Sequence, residues 1–129
     1  MVLVVAAVGA VAVTARDSGP DVVASAVLDP LVDATGPGQA ELVAAGGTKR
    51  LDVSLSEAGL PAPDGYYEVW LIDRDVHDMV SLGPVRDDGT YDVPATVDVA
   101  RFPIVDVSRE PADGNPTHSG TSVLRGKLA

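Results

Sequence analysis

The chain has 129 residues, enough for one domain with its own core and no need of covalent staples. It contains no cysteine, which excludes disulfides, thiolate zinc sites and cysteine nucleophiles. A formal charge of −10 and only nine scattered basic residues set aside nucleic acid as a partner, because such binding needs clustered Lys and Arg to displace counterions.

Residues 1–15, MVLVVAAVGAVAVTA, carry no charge, and Arg16-Asp17 ends the run sharply. Three readings compete. At about 1.5 Å per residue the run spans roughly 22 Å of a ~30 Å bilayer core, so it suits part of a membrane helix. A signal peptide would need a basic region ahead of the apolar stretch, although Val13-Thr14-Ala15 resembles a cleavage site. A buried strand of fifteen uncharged residues would be long. The expectation is a truncated or short anchor over residues 1–16, in a short hydrophobic helix, followed by a linker at 17–21 (DSGPD) and a folded domain at 22–129.

Beyond the linker, residues 22–28 read as a first strand closed by Asp29-Pro30. Residues 40–45 and 50–55 flank Gly46-Gly47-Thr48-Lys49, a hairpin signature. Residues 66–73 (YYEVWLID) are apolar at both alternating sets of positions, unlike an ordinary half-exposed strand. That pattern predicts a central strand, roofed by a loop or neighbouring segment, that is itself the keystone of the core. Residues 79–85 form a strand interrupted at Gly83-Pro84, and Asp87-Asp88-Gly89 turns into 91–93. Residues 97–99 are ambiguous, 103–108 alternate cleanly, 111–120 make a turn-rich loop, and 121–128 close the chain as a strand.

Composition agrees with this list. Twenty-two valines suit pleated surfaces, and 15 Asp against 4 Glu favour turns over helices. The expectation is an all-β fold, an Ig-like antiparallel β-sandwich.

Candidate chemistry is sparse. His118-Ser119 with Asp113 nearby contains the residue types of a serine triad, but no nucleophile elbow accompanies them and a triad is a matter of geometry. The bland reading is a turn whose polar side chains bond local backbone. Asp73, Asp75, His77 and Asp78 offer hard oxygen ligands like the start of a calcium loop, without its glycine and closing glutamate. Two distant histidines, His77 and His118, do not make a transition-metal site. Glu110 reads as a strand-end ion-pair partner, and no glycine-rich loop opens a helix. No catalytic, cofactor-binding or metal residues are therefore assigned, and the protein is expected not to be an enzyme.

Four segments in order, GYYEVWLID (65–73), SLGPV (81–85), VDVSREPADGNPTHSG (105–120) and SVLRGKL (122–128), resemble the extracytoplasmic C-terminal domain of the anti-sigma-K factor family of actinobacterial membrane regulators. The resemblance covers roughly residues 20–128. It implies a single-pass membrane protein with the β domain extracytoplasmic, controlling an extracytoplasmic-function sigma factor through regulated proteolysis. Partners so implied are the membrane, through the N-terminal segment, and a site-1 protease at the juxtamembrane linker. The sigma factor would be held only by an upstream cytoplasmic domain, which in many members carries a His-Cys-Cys zinc motif and is missing from this sequence. Met1 is then either a late start or the beginning of a stand-alone outer domain. The alternative is a cell-envelope module binding glycan or peptide on an open Tyr66/Trp70 surface, which requires an exposed Trp70.

Overall fold

A computed structural model describes residues 19–129. The hydrophobic helix and anchor and the first part of the linker expected over residues 1–18 lie outside the described residues. Among those described, every regular element is a strand: β1 (Asp21–Pro30), β2 (Gly38–Ala45), β3 (Thr48–Ser54), β4 (Tyr66–Ile72), β5 (Met79–Pro84), β6 (Thr90–Val93), β7 (Ile104–Glu110) and β8 (Ser122–Lys127). No helix among them is long and apolar enough to cross a membrane.

The turns follow from residue chemistry. Gly46 and Gly47 both have positive φ, 57° and 82°, so a two-residue loop joins β2 to β3 with the twist their pairing needs. The ambiguous residues 97–99 are loop: Asp98 accepts from the Ala100 N–H, and Val97 N–H bonds back to the Pro94 carbonyl. β7 runs on to Glu110, past the alternation visible at 103–108, because Arg109 and Glu110 still pair with Tyr67 and Tyr66.

All eight strands fall in one antiparallel order, β5-β4-β7-β8-β1-β2-β3-β6, a nearly closed sheet rather than two independent layers. The reason is that β1 serves both halves. Residues 21–28 pair with β2, while Asp29 and Pro30 pair with Arg125 and Leu124 of β8. β8 crosses β1 so closely that a Cβ on Gly126 would stand 2.1 Å from the Val27 carbonyl oxygen. Only glycine fits there.

The enclosed core holds Leu28, Leu42, Leu51, Tyr67, Val69, Leu71, Tyr91, Val105, Val107 and Leu124, all contributed by inward positions of the strands. Tyr67, Val69 and Leu71 are the inward set of β4; Trp70 and Ile72 are buried too, but outside that core. β4 is thus buried on both faces, and Trp70 lies outside the main core. It anchors a second, smaller buried layer on the other face of the same strand.

Candidate functional site

That second layer is the densest polar arrangement among the described residues. On the outer face, register aligns Trp70 with Asp106, and Asp106 with Arg125; Glu68 stands opposite Ser108, and Tyr66 opposite Glu110. Side chains directly opposite in an antiparallel pair share a face. Three polar residues of β7 are fully or almost fully buried there: Asp106 (0%), Ser108 (0%) and Glu110 (2%).

Residues 111–121 provide the cover. The loop is shaped locally, with Asp113 accepting from the Asn115 N–H and Asn115 from the Thr117 N–H. It then turns two residues down onto the sheet. The His118 ring lies 4.9 Å from the Trp70 ring, tilted by 53°. Its Nδ1 accepts the Gly120 N–H (2.9 Å), which fixes the tautomer so that Nε2–H donates to Asp106 Oδ2 (2.8 Å). Asp106 takes its second partner from Arg125 Nε at 2.8 Å, and Arg125 also donates to Ser122. Next to it, the Ser119 N–H is shared between both Glu110 carboxylate oxygens at 3.1 Å. Ser108 Oγ donates to Glu110 (2.6 Å) and accepts the Trp70 indole N–H (2.9 Å). No buried side-chain donor or acceptor among the described residues lacks a partner. Such a network orders the loop firmly, because each buried group it leaves unpaired costs about 1–3 kcal/mol.

One member is held uneasily. Burial pushes the Glu68 carboxyl above its usual range, and the neighbouring Glu110 pushes it further, partly opposed by the Ser81 hydroxyl and by His118.

The arrangement is structural in its chemistry. Ser119 Oγ donates to the Arg109 carbonyl (2.6 Å), His118 is committed to Asp106, and Asp113 is engaged with backbone, so the three are not assembled as a triad. In the 73–78 loop, Asp73 accepts the His77 backbone N–H (2.7 Å), which holds its carboxyl below the usual range, and Asp78 pairs with Arg101. Among the described residues no group of carboxylates and histidines is placed to hold a metal ion. Glu110, expected as an ion-pair partner, makes no ion pair among the described residues and instead anchors the loop through Ser108 and Ser119. Trp70 is 4% exposed, so an open Tyr66/Trp70 stacking surface does not form. A pocket of about 480 Å³ opens between residues 61–65 and the end of β7, lined by Pro61, Pro63, Tyr67, Arg109 and Pro111. Two of its polar side chains are engaged within the fold, Tyr67 OH on the Pro61 carbonyl and Arg109 on Asp33.

Sequence reasoning missed Asp106, Ser108 and Arg125, since polar residues alternating along 103–108 read as the wet side of a strand. The available signal was their neighbour. A strand apolar on both faces needs a cover, and a strand beside it shares that cover.

The family described as anti-sigma-K factor rskA, C-terminal, matches residues 1–122. Comparisons with curated proteins and with solved structures give no match.

Proposed function

This chain belongs to the anti-sigma-K factor C-terminal family, and from that premise we propose that it is the extracytoplasmic sensor domain of a membrane-anchored anti-sigma factor. The family is regulatory rather than catalytic, membrane-associated in general, and implies a sigma factor as partner. In this reading residues 1–16 anchor the protein in the membrane, 17–21 link it, and the β domain stands outside the cell membrane. The controlled sigma factor is of the extracytoplasmic-function class, and it is freed by cleavage of the linker by a site-1 protease.

The observation that carries the proposal is the family match itself, which runs unbroken from the uncharged segment through seven strands and into the eighth. The geometry adds a role for the fold. β1 begins at Asp21, the last residue of that linker, and is the strand shared by both halves of the sheet. Opening the linker to a protease therefore competes with pairing in the middle of the fold. We assign the domain the task of shielding residues 15–22 from cleavage until the β body is disturbed.

The test uses the full chain in vesicles with an added protease, cleavage within 15–22 being followed by mass spectrometry. Leu124→Asp, which puts a charge into a fully buried core position, breaks the fold. Cleavage at 15–22 should be at least tenfold faster in that variant; equal rates would dismiss the shielding role.

A further inference from the structure

The apolar surface that the fold leaves open is concentrated on one stretch of chain. Val22, Val23, Val27, Leu31 and Val32 are each 49–56% exposed. Val22 and Val27 stand on the outer side of β1, opposite Val43 and Gln39 of β2, with a bulge at Val23 between them. The other margin of β1 is only partly covered: β8 pairs with Asp29 and Pro30, and Ala129 exchanges two backbone bonds with Ser25. Nothing among the described residues pairs with that margin at residues 21–24.

What covers this strip is indicated by chain length and charge. The uncharged run ends at Ala15, and residues 16–21 separate it from Val22. Six residues reach at most about 20 Å when fully extended, so the strip begins within that distance of the end of the apolar segment. From Asp17 to Thr48 the sequence contains no Lys or Arg, while Asp21, Asp29 and Asp33 flank the valines. A surface of this kind is repelled by anionic headgroups and by the same acidic strip of a second copy. It suits a neutral, zwitterionic lipid interface. Resting on the anchor reading above, we propose that β1 lies along the bilayer surface, with Val22, Val23, Val27, Leu31 and Val32 seated among zwitterionic headgroups. The domain then lies on its side against the membrane. The strip goes no deeper than the headgroup layer, where water and phosphates still satisfy the open backbone groups of β1.

The absence of cysteine makes the test clean, since each introduced thiol is unique. Val27→Cys, Thr117→Cys on the exposed loop and Gly9→Cys in the uncharged run are labelled with an environment-sensitive dye in the full chain. Each is reconstituted into phosphatidylcholine vesicles bearing nitroxide lipids. The Val27 label should shift to the blue and be quenched by headgroup nitroxide several-fold more than the Thr117 label, and replacing lipid with phosphatidylglycerol should weaken that quenching. A Gly9 label quenched by deep nitroxide with Val27 no different from Thr117 would overturn the docking while leaving the anchor intact. Failure of the Gly9 label to sense lipid would overturn the anchor, and the docking with it. Energy transfer between Val27 labels on different copies, rising with protein density, would assign the strip to self-association and dismiss lipid as its occupant.

Discussion

The imidazole of His118 rests against the indole of Trp70, centroid to centroid at 4.9 Å, and ties the turn-rich loop to the middle of β4. Nε2 of the same ring bonds to Asp106, which no solvent reaches. One side chain thus closes the hydrophobic and the polar parts of the second layer together.

Replacing His118 by Ala should remove both contacts and lower stability by about 2 kcal/mol. Asp106 keeps Arg125, so the fold should survive with the loop loosened. Tryptophan emission is the readout, since Trp70 is the sole indole. A red shift and stronger acrylamide quenching are expected; an unchanged spectrum would mean that the loop does not depend on this residue.

Glu68 makes stability depend on pH. Its folded-state carboxyl is raised above the unfolded value by burial and by Glu110. Its stabilising contribution is therefore complete below the ordinary carboxylate range and is lost as pH rises through the raised value. Glu68→Gln removes that loss, so the variant should gain on the natural protein as pH climbs from acid to neutral. Chemical denaturation at several pH values checks this. A variant that loses stability relative to the natural protein over that range would contradict it.

Val76 sits in the left-handed region, φ 55°, where a β-branched side chain crowds its own backbone. It is also exposed, in the loop capped by Asp73. Val76→Asn should raise the unfolding free energy by about 1 kcal/mol. Thermal melts would show it as a higher midpoint.

Gly126 lies where β8 crosses β1, and its replacement by Ala brings a methyl against the Val27 carbonyl. Backbone must move, and the crossing belongs to the strand that unites the sheet. Gly126→Ala should cost more than about 2 kcal/mol, unlike Gly114→Ala, whose Cβ meets open space and costs only the strain of its positive φ. Equal melting points for the two variants would refute this account.

Much of the fold was legible in the order of residues. Alternation of period two, punctuated by Gly, Pro and Asp, located all eight strands to within a few residues, and the doubly apolar 66–72 stretch revealed a strand covered on both sides. Boundaries erred where pairing outlasted the pattern, as at Arg109 and Glu110. What alternation cannot state is which of a strand's two sides will be covered, and by what. Asp106 and Ser108 look like solvent-facing residues until the loop carrying His118 and Ser119 is folded over them. Likewise β1 reads as an ordinary first strand, yet it joins both halves of the sheet because Gly126 lets β8 cross it. A strand's period assigns side chains to faces through local backbone geometry, whereas covering a face requires contact between residues far apart in the chain, and only the assembled tertiary structure brings those together.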